Sequence, residues 1–81
     1  GIQTMAPLVC QIAETTELPV ICQPNAGLPK LIHGQTMYEE DPAVFEQYVP
    51  QVYEAGARII GGCDGTTPEH VAVIRRFAEL L

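Results

Sequence analysis

A single thiol in a glycine-rich turn is the group in this chain best placed to do chemistry. Cys63 lies within Gly61–His70, whose sequence is GGCDGTTPEH. The preceding Ala57–Ile60 is a short, apolar, partly β-branched run that predicts a buried strand. If a helix begins after the turn, its N-terminus favours the thiolate, which is the form that acts as nucleophile or metal ligand. The pattern therefore predicts a thiolate site at the carboxyl end of a strand, where α/β folds place their chemistry.

The sequence after the turn predicts that helix. Thr67 suits the N-cap, Pro68 suits the first helical position, and Glu69 places negative charge at the positive end of the helix dipole. Apolar residues then recur at helical spacing: Val71, Ile74, Phe77, Ala78 and Leu81. This segment is predicted to be an amphipathic helix that packs on a sheet.

The first part of the chain predicts another helix and another strand. The spacing of Met5, Leu8, Val9 and Ile12 is that of an amphipathic helix, with Pro7 in its first turn. Residues 19–23 read PVICQ, which is typical of a short buried strand. Residues 24–38 are rich in Pro, Gly and polar residues, and are expected to form a long irregular connection.

A second helix is predicted between the two strands. Asp41 suits its N-cap, Pro42 its first position, and Gly56 its C-terminal stop. Pro50 falls inside and is expected to kink the helix, because it removes one backbone hydrogen bond. The packing face is predicted from residues at helical spacing: Val44, Phe45, Tyr48, Val49 and Val52.

The predicted order is α-β-α-β-α, with two parallel strands joined by a right-handed crossover. Two parallel strands leave both edges open and cannot bury both faces, so the pattern favours the C-terminal part of a (β/α)8 TIM barrel. Residues 1–81 would then be a partial barrel domain, its last two βα units with a preceding helix. A Rossmann-like fold is the rival, but the chain has no GxGxxG turn.

Composition excludes several classes of function. The net charge of −6, with four Lys and Arg, argues against nucleic acid or an anionic membrane surface as partner. No apolar stretch approaches the roughly 20 residues of a membrane span, and no signal-peptide pattern is present. Three cysteines without CxxC spacing do not form a disulfide framework and indicate a reducing cytoplasm. Cys10 and Cys22, among apolar neighbours, are expected to be buried core residues.

Two motifs together resemble a known family. The PNAGLP sequence of residues 24–29 and the GGCDGTTPEH turn of residues 61–70 resemble the homocysteine S-methyltransferase family. Within it, they are most similar to the homocysteine-binding barrel of the cobalamin-dependent methionine synthases, whose two motifs have a similar separation. The resemblance covers nearly the whole chain, but only about the last quarter of such a barrel.

This resemblance implies a cytoplasmic enzyme of methionine biosynthesis that transfers a methyl group to the sulfur of homocysteine. In the family, three cysteine thiolates hold a zinc ion, whose open position receives the substrate thiol. In the cobalamin-dependent branch of the family, the methyl donor is a methyl-corrinoid, and thus cobalamin, on another domain or protein. The isolated 81-residue piece is expected to be inactive and either to self-associate or to pack on the missing barrel.

The chain departs from the family's ligand pattern. Cys63 matches the first cysteine of the family's adjacent pair, but Asp64 stands at the second position. The remaining cysteine would lie before Gly1, and neither Cys10 nor Cys22 matches it by position. Replacing thiolate by carboxylate exchanges a soft donor for a hard one, which changes zinc affinity.

Each candidate site residue also has an ordinary structural interpretation. Cys63 is either a metal ligand or a small residue in a tight turn. Asp64 is a substitute ligand, a partner of the helix dipole or a solvated acid. Asn25 either binds substrate or forms an Asx turn. His70 is expected to cap the final helix or lie on the surface, and the acidic run at residues 39–41 is expected to be a solvated loop ending in a cap.

Three hypotheses follow. The first is a homocysteine S-methyltransferase-like barrel that uses a zinc-bound thiol. The second is a divergent corrinoid-linked methyltransferase that has lost thiolate–zinc chemistry, as Asp64 would indicate. The third is a non-catalytic fold fragment that is stable only by association.

Overall fold

The computed structural model describes residues 1–81 as a mixed α/β arrangement of three helices and four strands. The helices are α1 (Met5–Ala13), α2 (Pro42–Ala55) and α3 (Pro68–Glu79), with a 3-10 turn at Ile2–Thr4 before α1. The strands are β1 (Val20–Cys22), β2 (Pro29–Ile32), β3 (Gln35–Tyr38) and β4 (Ala57–Ile60). No helix combines the length and the hydrophobicity needed to cross a membrane.

The parallel pair predicted from the sequence is confirmed. β1 and β4 pair in parallel, with Ile21 opposite Ile59 and Cys22 opposite Ile60. Val20 and Cys22 are buried in the core, on the face of this pair that the helices cover. On the other face Ile21 and Ile59 are 55% and 54% exposed. The closed barrel expected from the sequence stays a prediction, since the chain itself forms only this two-stranded parallel sheet.

Local signals explain the bounds of α2. Asp41 Oδ1 accepts a hydrogen bond from the Val44 N–H at 3.1 Å, and Pro42 is the first residue of the helix. Gly56 ends it with a φ of 128°. Pro50 lies inside the helix without ending it. Of the predicted face, Phe45, Val49 and Val52 are fully buried.

The helix α1 forms where predicted, but its buried face differs from the prediction. Val9 is buried, and Met5 and Ala13 pack beside it on the core, so the buried stripe runs at four-residue spacing. Leu8 and Ile12, which were predicted to belong to the buried face, are about half exposed. Cys10 is exposed as well, and the expectation of a buried thiol there is wrong. The buried position predicted for Cys22 is confirmed.

The predicted long irregular connection is wrong in its central part, where β2 and β3 form an antiparallel hairpin. Its turn residues, His33 and Gly34, both have positive φ, at 50° and 75°, as a two-residue hairpin turn requires. The predicted order α-β-α-β-α therefore lacks two strands. The residues of both strands are exposed or half-exposed. The hairpin therefore has no buried face, and no alternating hydrophobic pattern predicts it.

Candidate functional site

The carboxyl ends of β1 and β4 lie side by side, and the two sequence motifs leave the sheet at this edge. The pairing continues past β4, because the Gly61 N–H donates to the Cys22 carbonyl at 2.9 Å. Each strand then enters a loop: residues 24–27 follow β1, and residues 61–65 follow β4. The sheet thus brings together two segments that are nearly 40 residues apart in the chain.

Three hydrogen bonds join these two loops. The Cys63 N–H donates to the Pro24 carbonyl at 3.1 Å, and the Ala26 N–H donates to the Asp64 carbonyl at 2.9 Å. The third runs from the Asp64 N–H to Asn25 Oδ1 at 3.1 Å. The candidate residues Asn25, Cys63 and Asp64 are therefore brought together, although their proposed roles in binding remain predictions.

The turn around Cys63 is fixed by local bonds and by one glycine. The Thr66 N–H and Oγ1 both donate to the Cys63 carbonyl, at 3.1 Å and 2.6 Å. Gly65 has a φ of 81°, a conformation that favours glycine. A Cβ at this position would overlap the ring of Tyr38, the last residue of β3. The hairpin, which sequence reasoning missed, therefore ends against the turn that carries the thiol.

The N-terminus of α3 is closed by a capping box. The Thr67 side chain and the Thr67 N–H both bond to residue 70, where the His70 Nδ1 accepts the N–H at 3.0 Å. The predicted N-cap and the predicted capping role of His70 are confirmed, but His70 is buried and not on the surface. Hydrogen bonds from its own backbone N–H and from Thr67 lower the pKa of Glu69, so its negative charge stays at the helix start.

Glu40 was expected to be a solvated loop acid, and this expectation is wrong. Its side chain is buried, and its Oε1 accepts a hydrogen bond from the Ile2 N–H at 2.6 Å. No periodic pattern marks Glu40, because it lies between β3 and the N-cap of α2. Its neighbour Glu39 does behave as expected and forms a surface ion pair with Lys30.

The chain matches a known family over nearly its whole length. The model of the family described as homocysteine S-methyltransferase matches residues 2–78 of the chain. The chain belongs to the homocysteine S-methyltransferase family. The matched range includes both loops of the site, so the resemblance of the two motifs is confirmed at the level of the family.

The metal donors of this family member are few. The Cys63 Sγ and the Asp64 Oδ1 lie 3.9 Å apart, and both residues are exposed. No group of three or more His, Cys, Asp and Glu side chains is arranged to hold a metal ion. A catalytic zinc needs three protein ligands beside its open position. The residues of this chain therefore do not by themselves fit a catalytic zinc site.

The side chain of Asn25 keeps binding capacity. Its oxygen is engaged by the Asp64 N–H, while its amide nitrogen makes no hydrogen bond within the chain. An amide nitrogen carries two N–H donors, which suit a carboxylate or another polar ligand group. Asn25 thus combines a structural bond to the turn with a donor that remains available at the same edge.

Proposed function

We propose that this chain forms part of the thiol-binding edge of an S-methyltransferase, where a methyl group passes to the sulfur of a small thiol such as homocysteine. The observation that carries the proposal is the set of three hydrogen bonds joining residues 24–26 to Cys63 and Asp64. These bonds hold the two motifs at the carboxyl edge of the parallel pair, where α/β enzymes bind their substrates. Membership of the family supplies the reaction class.

The reaction that we propose is a methyl transfer between a donor and a thiol. The thiol loses its proton to solvent, the sulfur lone pair attacks the methyl carbon, and the bond between that carbon and the donor breaks with its electron pair leaving on the donor. We further propose a methyl-corrinoid, carried by another domain or protein, as the donor. Asn25 would orient the substrate through its amide N–H groups, and we expect the 81-residue chain alone to be inactive because it supplies only one edge of the site.

A zinc site here would need at least one ligand from outside the chain. Cys63 and Asp64 would be two of the zinc donors, and the third donor, a thiolate, would have to come from elsewhere in the complete barrel.

A divergent methyltransferase without thiolate–zinc chemistry is the second candidate. The identity of residue 64 favours it, since a carboxylate stands where the family resemblance leads us to expect a thiolate. Stoichiometric zinc in a complete protein that contains this chain would favour the first candidate, while its absence with an intact fold would favour the second.

Ligand binding by the 81-residue chain tests the proposed edge directly. We expect L-homocysteine to shift the backbone NMR signals of Asn25, Cys63 and Asp64, whereas L-homoserine, with a hydroxyl in place of the thiol, should shift them much less. Equal responses to the two ligands would show that the edge does not select a thiol. Shifts confined to other surfaces would show that the site lies elsewhere.

A further inference from the structure

Two polar side chains that are connected to the candidate site by hydrogen bonds have no part in the proposed reaction. Glu40 and His70 are only 8% and 4% exposed, although both belong to residue types that are rarely buried without partners. They meet where the hairpin leads into α2 and where α3 begins. The ring of His70 is also held edge-on by Phe45, with the ring centroids 4.7 Å apart.

The hydrogen bonds of His70 define its tautomer. Its Nδ1 lies 3.0 Å from the Thr67 N–H, which can only donate, so Nδ1 accepts and carries no proton. Its Nε2 lies 2.7 Å from the Glu40 carbonyl oxygen, which can only accept, so Nε2 carries the proton and donates. The neutral imidazole thus links the start of α3 to the backbone of residue 40.

Glu40 extends this link to the site. Its backbone N–H donates to the Ala26 carbonyl at 3.0 Å, and the Ala26 N–H donates in turn to the Asp64 carbonyl at 2.9 Å. The carboxylate binds the Ile2 N–H, which holds residue 40 against the start of the chain. Residues 64–67 connect Asp64 covalently to Thr67, whose N–H reaches His70. The bonds therefore form a closed ring from Asp64 through Ala26, Glu40, His70 and Thr67 back to Asp64.

We propose that His70 and Glu40 are positioning residues, which hold the loop carrying Asn25 at a set distance from the turn carrying Cys63 and Asp64. Residue 40 holds the loop, and the start of α3 holds the turn. The hydrogen bond from the His70 Nε2–H to the Glu40 carbonyl joins residue 40 to α3. This inference rests on the proposed function only for the identity of the ligand that the edge receives. The ring itself is a property of the fold.

Two variants of equal reach separate positioning from helix capping. In His70→Gln the side-chain oxygen can accept the Thr67 N–H and the amide can donate to the Glu40 carbonyl. In His70→Glu the capping acceptor is kept, as in the S/T-x-x-E capping box, but the ionised side chain has no donor for that carbonyl. The readout is hydrogen exchange of the Ala26, Cys63 and Asp64 amides, which donate the three hydrogen bonds between the loop and the turn.

We expect His70→Glu to raise the exchange rates of these three amides by about tenfold, and His70→Gln to leave them within about twofold of the unmodified chain. In a Cys10→Ser/Cys63→Ser background, labelling of the one remaining thiol, the buried Cys22, reports global opening separately. If His70→Glu exposes Cys22, the variant to use in its place is His70→Leu. Its control is Thr67→Ala, because that change weakens the cap and retains the Nε2–H bond of His70.

The inference is overturned if the Gln and Glu variants exchange equally fast, or if losing the donor leaves the three amides unchanged. It is also overturned if His70→Leu and Thr67→Ala accelerate the exchange of the three amides equally. A failed homocysteine titration would count against the proposed function and leave the exchange result standing, so the two failures are distinguishable.

Discussion

Asn25 accepts a hydrogen bond from the backbone of Asp64 at 3.1 Å, although 39 residues separate them in the chain. The bond joins the loop after β1 to the turn after β4, and it engages the oxygen of the Asn25 amide. An interpretation of Asn25 as a purely local turn residue is therefore incomplete. The same side chain can support the turn with its oxygen and meet a ligand with its nitrogen.

Substitutions at Asn25 should separate these two roles. We expect Asn25→Ala to raise the hydrogen-exchange rate of the Asp64 amide by about tenfold, because the acceptor is lost. Asn25→Asp keeps an acceptor and lacks the two donors, so it should protect the amide and weaken the response to homocysteine. An Asp64 amide that exchanges equally in the unmodified chain and in Asn25→Ala would contradict the structural role.

Zinc binding should be weak in the unmodified chain and should improve in Asp64→Cys. Only one thiolate and one carboxylate are adjacent in the unmodified turn, whereas Asp64→Cys supplies two soft donors. We expect the zinc affinity to rise by more than about tenfold, measured by competition with a chromophoric chelator. Cys63→Ala added to this variant should remove the gain.

Two results of that titration would count against this view of the turn. Binding on the order of nanomolar by the unmodified chain would mean that other side chains supply ligands. No gain in Asp64→Cys, with the fold intact, would indicate that the turn has diverged from metal binding and would favour the second candidate function.

Gly65 should be intolerant of a side chain for two reasons that can be separated. Gly65→Ala places a Cβ at a φ of 81° and into the ring of Tyr38, so we expect a loss of unfolding free energy of about 1–3 kcal/mol. In a Tyr38→Ala background the overlap disappears and the backbone strain remains, so the cost of Gly65→Ala should fall by about 1 kcal/mol. If the losses of unfolding free energy caused by Gly65→Ala and by Tyr38→Ala, measured by urea denaturation, are strictly additive, the ring does not restrict the turn.

Alkaline pH should destabilise the fold through Cys22. Burial raises the pKa of the Cys22 thiol above its ordinary 9.0, because the interior disfavours the thiolate. The unfolded chain therefore loses this proton first, so the stabilisation is complete below pH 9.0 and is lost as the pH rises through the higher folded-state pKa. Urea unfolding between neutral pH and about pH 10.5 should show this loss in the unmodified chain.

The exposed Cys10 provides the control for that experiment. Cys22→Ala should reduce the alkaline slope of the unfolding free energy, whereas Cys10→Ala should retain it because Cys10 is exposed. Equal slopes in all three proteins would assign the alkaline loss to other groups.

The open face of the parallel pair should promote self-association of the isolated chain. Ile21 and Ile59 lie opposite each other and are more than half exposed, and both sheet edges are unpaired. We expect sedimentation equilibrium to show association, and Ile59→Lys to weaken it by about tenfold or more. Leu80→Lys, which removes an exposed apolar side chain at the C-cap of α3, is the matched control. A monomer at all concentrations, or equal effects of the two variants, would contradict this role of the face.

Strong local patterns allowed much of this structure to be predicted from the sequence. β4 has its predicted bounds, and the starts of α2 and α3 follow from Asp41 and Thr67, because caps and prolines act within one helical turn. The proximity of the two motifs followed from the parallel pairing of their strands. The family was identifiable because both motifs are present and suitably separated.

The features that escaped prediction depend on contacts between distant segments. Glu40 is buried because the Ile2 N–H and the loop at Ala26 meet it, and neither contact leaves a local pattern. Leu8 and Ile12 match helical spacing but remain exposed, because periodicity does not specify which apolar side finds a partner. The hairpin has neither a buried face nor a standard Asn-Gly turn.

The two-residue tip of that hairpin makes it a convenient attachment point for a reporter. His33 and Gly34 lie at the exposed end of a ladder whose four residue pairs set the register, and exposed loop tips tolerate insertion well. The opposite end of the same ladder is Tyr38, which contacts Gly65. The two-stranded ladder therefore connects a fluorophore at the tip to the turn that carries the thiol, and we expect its anisotropy to respond to a change in that turn without any modification of Cys63.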